Sequence, residues 1–346
     1  MVAMRLLRGL HNPGLGKGGV SETKCVATIG NFDGVHLGHQ AIIRQVITEA
    51  KKRNLPALII VFEPQPMEFF KGDDAPARLM RFREKFQVLA EYGLDYLFCL
   101  KFDQHLSQFS AEEFVREVLV NHLNIAHLVI GDDFRFGGDR QGDYALLCQL
   151  AYQLGFSVEN TRTVLANESC GFGNAAALNE SSGCQRASST FVRELLAQGE
   201  LAKAAQLLGR PYFFSGRVTH GQKLGRQLGY PTANINLQRV NSPLSGVYVV
   251  NLYLKAQDKY FPGVANVGCK PTLGQFRPTL EVHLFNFNAD IYGEYVEVQF
   301  LQKLRDEKRF DNISELKKQI ATDSEQAQAF FAEQRQQQHH DNDLIK

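Results

Sequence analysis

The run Ala57–Phe62 (A-L-I-I-V-F) constrains the fold of this chain most tightly, because it contains no polar side chain. A strand without a polar face must be covered on both sides, which is the environment of a parallel sheet layered by helices. Its neighbours agree. Cys25–Ile29, Tyr96–Phe102 and His127–Ile130 are further short apolar runs. Between and after them, Gln40–Arg53, Arg81–Tyr92, Ser110–Asn121 and Tyr144–Leu154 have helical spacing. The third of these opens on the capping box S-A-E-E, and the fourth stops at Gly155. Strands alternating with helices at this spacing predict a parallel α/β sheet, with an edge strand within residues 1–24. Ligands of such sheets collect beyond the carboxyl ends of the strands. Three Gly- or Pro-rich segments, 30–39, 63–66 and 131–138, follow strands and so share that edge.

The first of these segments carries the most chemistry. Ile29–His39 reads I-G-N-F-D-G-V-H-L-G-H, with two histidines three residues apart where a helix begins. A helix start offers unpaired N–H groups and the positive end of the helix dipole, so the segment suits a phosphate. Gly14–Gly19 spells G-x-G-x-x-G but precedes a strand instead of following one, so it is a decoy for a dinucleotide fingerprint. Residues 166–187 are small and polar without periodicity and read as a loop or insertion. Ser188-Ser189-Thr190 then opens a helix that ends at Gly199. Those hydroxyls either cap the helix or, with Arg193, receive a second phosphate.

After Arg210-Pro211 the texture changes. Tyr212–His220, Gly246–Lys255, Lys259–Val267, Leu280–Phe287 and Tyr295–Leu301 are strand-like with no helix between them, which predicts a small antiparallel barrel. Ile313–Ile320 and Glu325–Arg335 read as two closing helices, and residues 336–346 as a disordered tail. Gly216, Gly221, Gly225 and Gly229 fall within fourteen residues, with Lys223 and Arg226 among them, as in a loop that folds over a polyphosphate. Thr232 and Asn234 lie two apart and face one way in an extended segment, so they are either hard neutral ligands for Mg²⁺ or part of a solvated turn. Glu281 stands in the apolar strand T-L-E-V-H-L-F, as a surface residue or as a placed base.

The balance of charge narrows the partners. Thirty-eight basic and thirty-seven acidic residues leave a formal net charge of +1, which gives no electrostatic case for nucleic acid or an anionic membrane. No apolar run approaches the roughly eighteen residues of a membrane span. Six cysteines are scattered without a C-x-x-C pair, as in a cytoplasmic protein with reduced thiols.

Taken in order, these motifs resemble the bacterial bifunctional riboflavin kinase/FMN adenylyltransferase family, also called FAD synthetases. G-N-F-D-G-V-H-L-G-H, F-E-P-Q-P, G-D-D-F-R-F-G and S-S-T-F-V-R look like its adenylyltransferase module. The segment from Gly216 to P-T-A-N, with G-V-A-N-V-G-C-K-P-T, L-E-V-H-L-F and L-R-D-E-K-R-F, looks like its kinase module. The resemblance implies a Rossmann-like nucleotidyltransferase domain over 1–210, then a β-barrel riboflavin kinase domain with C-terminal helices over 211–335. It implies ATP-dependent phosphorylation of riboflavin to FMN, then adenylylation of FMN to FAD, with Mg²⁺ accompanying ATP. Glu281 aligns with the family's catalytic base, and Thr232 and Asn234 with its metal and phosphate ligands. Gly221, Lys223, Gly225 and Arg226 align with the loop over the nucleotide. His36 and His39 form the H-x-G-H pair, and Gly30, Asn31, Phe32, Asp33 and Gly38 surround it, with Gly38 leaving room for the phosphate. Ser188, Ser189, Thr190 and Arg193 would hold the leaving pyrophosphate, while Phe62, Pro64, Pro66 and Asp133 would line the flavin pocket. Two alternatives share these motifs: a flavin or nucleotide sensor, and an adenylyltransferase with another acceptor.

Overall fold

The computed structural model describes residues 3–10, 23–131, 134–138, 140–161, 164–166, 173–174, 185–221, 229–272 and 275–344. The chain forms two compact units, one of residues 1–76 and 80–191, the other of 77–79 and 192–346.

In the first unit a six-stranded parallel sheet has the order β1-β4-β3-β2-β5-β6. The strands are β1 Arg5–Arg8, β2 Cys25–Ile29, β3 Ala57–Glu63, β4 Tyr96–Lys101, β5 Ile125–Gly131 and β6 Ser157–Thr161. The apolar run in β3 lies inside the sheet and its first five residues are buried, as doubly covered strands must be. β1 takes the expected edge. From β2 the chain runs outward to β3 and β4, then returns to the other side of β2 with β5. The order therefore reverses at β2/β5, the position where doubly wound sheets open a crevice.

The helices are α1 Leu37–Arg53, α2 Pro66–Lys71, α3 Phe82–Ala90, α4 Gln104–Ser107, α5 Ala111–Glu113 and α6 Tyr144–Leu154. Ser110 caps α5 through its hydroxyl, and Glu113 returns the bond to its backbone N–H. The helix then widens to π geometry over Phe114–His122, where the apolar spacing had predicted a continuous α-helix. Within the insertion, the described pieces pair as short antiparallel strands, β7 Val164–Ala166 with β8 Gly173–Asn174 and β9 Gln185–Arg186.

The second unit is built on a closed antiparallel barrel of order β10-β11-β14-β13-β12-β15. Its strands are β10 Tyr212–Thr219, β11 Thr232–Asn236, β12 Gly246–Leu254, β13 Lys259–Thr272, β14 Gln275–Leu284 and β15 Tyr295–Arg305. The P-T-A-N segment, expected to be merely extended, supplies β11. The helices α7 Ser189–Gln198, α8 Leu201–Leu208 and α9 Ile313–Leu344 follow the chain order.

The compact units divide at Phe191/Val192. Gly209 and Pro211 end a helix, but α8 packs its buried Leu207 and Leu208 with the barrel strands β10 and β15. The two predicted closing helices are one continuous helix, α9. Residues 336–344, expected to be disordered, extend it, since glutamine is a competent helix former.

Arg305 of β15 anchors α9 by gripping Asp323 in a fork of bonds at 2.8–3.2 Å, and Gln319 donates to the same carboxylate at 2.9 Å. Asp323 is buried, so its loss strands the guanidinium. Asp323→Ala should lower the unfolding free energy by about 2–3 kcal/mol in a denaturant titration, below the full value for a buried pair because Arg305 retains some contact with water. A change under about 0.5 kcal/mol would show that the fork does not hold the helix.

Candidate active sites

The turn between β2 and α1 is built under strain. Phe32, Gly34 and Val35 all adopt left-handed backbone angles, with φ of 46°, 82° and 45°. For a β-branched valine this is rare and costs of order 1–3 kcal/mol. Side-chain bonds hold the turn in place. Lys85 Nζ donates to the Asn31 carbonyl at 2.5 Å, Gln40 Nε2 to the Val35 carbonyl at 3.0 Å and Ser189 Oγ to the Asp33 carbonyl at 2.8 Å. The Asp33 carboxylate accepts from the Met80 N–H at 3.0 Å. Lys85 is fully buried, so its charge resides beneath this turn.

The result is a fixed pair of imidazoles. His36 is the N-cap of α1, and its Nδ1 accepts from the His39 N–H at 3.4 Å. In the neutral ring the proton then sits on Nε2. The two rings stack at 3.7 Å with 23° between planes. Burial lowers the His39 pKa well below the ordinary imidazole value, and the positive charges of His36, Lys85 and Arg186 push it the same way. His39 is therefore a neutral hydrogen-bonding group and contributes no charge.

A cavity of about 530 Å³ opens over this turn, at the switch point of the sheet. Gly30, Asn31, Phe32, His36, Gly38 and His39 meet there with Phe62, Pro66, Ser188, Ser189 and Thr190. Several expected residues stand elsewhere. Asp33 is buried and spends its groups on Met80 and Ser189, off the wall. Pro64 follows a cis peptide bond and does not line the cavity. Arg193 falls in the second unit, where its Nε donates to the Ala77 carbonyl at 2.7 Å. Ser188 caps α7 by accepting from the Phe191 N–H at 3.2 Å. Gly38 answers a packing demand, since a Cβ there would meet the His36 ring at 3.1 Å and the Ala187 carbonyl at 3.3 Å. Asp133 lies outside the described residues.

The second unit presents a different site. In the barrel register Glu281 of β14 lies between Asn234 of β11 and Asn266 of β13. Directly paired residues share a face, so this Asn-Glu-Asn row and the pair Thr232/His283 lie on one side of the sheet. Ile235, Leu280, Val282 and Leu284 take the buried side. Glu281 thus sits on the barrel's outer face. Gly221 packs directly on the Asn234 amide, where a Cβ would fall 2.2 Å from Nδ2. The Asn234 amide in turn donates to the Thr232 carbonyl at 3.5 Å. Lys223, Gly225 and Arg226 lie outside the described residues.

Known proteins carry the same two halves. A family model described as FAD synthetase matches residues 20–170, and one described as riboflavin kinase matches residues 208–331. Proteins named bifunctional riboflavin kinase/FMN adenylyltransferase from Escherichia coli (strain K12) and Haemophilus influenzae are each 45% identical over 95% of this chain, which spans 98% and 99% of their lengths. The chain belongs to the bifunctional riboflavin kinase/FMN adenylyltransferase family. A third relative of that name, from Pseudomonas fluorescens, is 46% identical over 95% of this chain and 98% of its own length. A solved structure titled as a macrolide-efflux protein from Streptococcus pneumoniae is 28% identical and superposes with a TM-score of 0.74 over 92% of this chain and 97% of that one. It shares the fold throughout, yet among the described residues no helix here is long and apolar enough to cross a membrane.

With the family established, the residues missed in the sequence stand out. Arg135, Arg140 and Arg186 line the first cavity and supply the positive charge that neutral His39 does not. Phe70, Phe102, Phe134 and Phe136 add an aromatic wall, with Phe134 and Phe136 stacked at 5.4 Å. Lys85 and Asn266 belong to the same group. Lys85 left a readable signal, because it shares a helix face with the apolar Val88 and Leu89.

Below about pH 6.5 the unfolded chain protonates His39 while the folded chain resists it. That contribution to stability is complete above this pH and is lost as pH falls, at no more than about 1.4 kcal/mol per pH unit for one proton. His39→Gln should therefore flatten the pH dependence of the unfolding free energy between about pH 7 and 5, measured by urea titration at each pH. An unchanged slope would contradict a neutral His39.

Proposed function

We propose that this chain phosphorylates riboflavin to FMN and then adenylylates FMN to FAD, drawing on ATP in both steps. The observation that carries the reading is that both motif sets stand intact on one chain that matches bifunctional enzymes end to end. We assign the kinase to residues 211–335 and the adenylyltransferase to 1–210, in the cytoplasm. Cys25, Cys99 and Cys148 are free thiols, in keeping with that compartment.

For the kinase step, Glu281 takes the proton from the 5′-hydroxyl of riboflavin as that oxygen attacks the γ-phosphorus of ATP; ADP leaves. Asn234 and Asn266 stand beside it in the register, one on each neighbouring strand. Thr232 and Asn234 offer hard, neutral oxygens beside it, and the missing Cβ of Gly221 makes room for the Asn234 amide. That donor set fits Mg²⁺ shared with the ATP phosphates, where the ion would neutralise developing charge.

For the adenylyl step, a phosphate oxygen of FMN attacks the α-phosphorus of a second ATP and pyrophosphate leaves. No covalent enzyme intermediate is required, so the site acts by placement and charge stabilisation. His36 and His39 donate from their N–H groups at the start of α1, where the helix dipole favours the same charge. Arg135, Arg140 and Arg186 balance the triphosphate, with the exposed Thr190 hydroxyl. The isoalloxazine ring packs on the aromatic wall. Phe70 is 62% exposed beside that wall, an exposure a planar ligand would relieve.

Flavin chromatography after incubation with riboflavin, ATP and Mg²⁺ tests the division of labour. Glu281→Ala should make no FMN yet convert added FMN to FAD; His36→Ala should accumulate FMN, with FAD formation slowed about 10²-fold or more. Mixed together, the two variants should restore FAD. FAD formation from riboflavin by Glu281→Ala alone would refute the assignment. Phe70→Ala should raise the KM for FMN about tenfold while leaving riboflavin phosphorylation unaffected, read from initial rates of each half-reaction.

A further inference from the structure

The chain passes between its two compact units at Pro76/Ala77, Leu79/Met80 and Phe191/Val192. The last two passages both lead to Asp33, in the strained turn before α1. Directly after the one, the Met80 N–H donates to the Asp33 carboxylate at 3.0 Å. Just before the other, the Ser189 hydroxyl donates to the Asp33 carbonyl at 2.8 Å. A turn of helix beyond Met80, Lys85 Nζ reaches the Asn31 carbonyl. Met80, Lys85 and Ser189 thus supply three of the four bonds that hold the turn, and Gln40 of α1 supplies the fourth.

The short segment 77–79 is gripped within the second unit. The Tyr212 hydroxyl of β10 donates to the Leu79 carbonyl at 2.8 Å. Arg239, just after β11, donates through Nη1 to the Arg78 carbonyl at 2.6 Å and through Nη2 to the Leu79 carbonyl at 3.4 Å. Arg193 Nε takes the Ala77 carbonyl at 2.7 Å. Side chains therefore hold all three carbonyls of the segment. Arg239 is 7% exposed, with its guanidinium over the Phe214 ring at 4.4 Å. A cation so buried persists where its N–H groups find acceptors, and two of its acceptors are carbonyls of this segment.

The Leu79 carbonyl and the Met80 N–H belong to one peptide group, which is planar and rigid. Its oxygen accepts from Tyr212 and Arg239, and its N–H donates to Asp33. Bonds accepted at the oxygen polarise the group and strengthen the N–H as a donor. A movement at the oxygen is likewise passed to the N–H without slack.

We propose that Tyr212 and Arg239 are positioning residues for adenylyl transfer: by clamping the 79–80 peptide group they fix Asp33, and with it the turn that carries the H-x-G-H pair. The proposal rests on the adenylyl-transfer reading of the first unit. It makes two residues of the barrel necessary for the full rate of the other half-reaction.

The test compares full-length Tyr212→Phe, Arg239→Gln and the double variant with the unaltered chain. Amide hydrogen exchange is read by mass spectrometry over residues 29–40, beside initial rates of FAD formation from added FMN and of riboflavin phosphorylation. Tyr212→Phe deletes one hydroxyl and leaves the ring to pack, so folding is not at stake. It should speed exchange over 29–40 about fivefold, the worth of one hydrogen bond, and lower kcat for FAD formation by a similar factor. The KM for FMN and the rate of riboflavin phosphorylation should stay within about twofold. The double variant should exceed about tenfold in exchange and in kcat. Arg239→Lys, which keeps a charged donor, should fall between Arg239→Gln and the unaltered chain. Exchange over 29–40 that is unchanged in both Tyr212→Phe and the double variant would overturn the proposal, as would a parallel loss of both half-reactions. An unaltered chain that makes no FAD from FMN would instead overturn the adenylyl-transfer reading, while the exchange rates still decide whether the clamp holds the turn.

Discussion

The adenylyltransferase site depends on a turn that would not hold its shape alone. Phe32, Gly34 and Val35 are all left-handed, and only the glycine adopts that geometry freely. Four bonds, involving Lys85, Gln40, Ser189 and the Asp33 carboxylate, offset the strain. Relaxing this turn would take His36 off the cap of α1 and His39 out of its stack. The strain has a use: it aims a helix start and two imidazoles at one point, before any substrate arrives. Burial of His39 itself then lowers its pKa, and the charge of Lys85 beneath the turn adds to the effect.

The kinase site solves a similar problem with less strain. A barrel keeps its apolar side chains inside, so every second residue of β11, β13 and β14 must face outward. Glu281, Asn234 and Asn266 occupy that outward row by register alone. A one-residue slip of β14 would bury the carboxylate and expose Val282. The hydrophobic pattern that closes the barrel therefore also places the base.

Much of this was legible in the residues. The apolar run of β3 announces a doubly covered sheet, and Tyr144–Leu154 ends at Gly155 as its glycine predicts. The H-x-G-H turn declared itself by composition. What stayed hidden depends on packing. Asp33 turns inward to accept from the Met80 N–H, and Gly38, which lines the cavity, also leaves room for the His36 ring. The arginines of the cavity wall come from segments roughly a hundred and more positions from the histidines, beyond the reach of local spacing. The helix stop at Gly209 does not reveal that α8 packs with the barrel strands β10 and β15. The final helix was read as two because its mixed polar stretch hides the continuity that glutamine allows.

One chain handles the γ-phosphate of one ATP and the α-phosphate of another on the way to a single product. Labelling ATP with one phosphorus isotope at the γ position and a second at the α position, and starting from riboflavin alone, tests it directly. The FAD formed should carry both labels in equal amounts, γ-derived on the flavin side and α-derived on the adenosine side. FAD bearing the α label without the γ label would contradict the account.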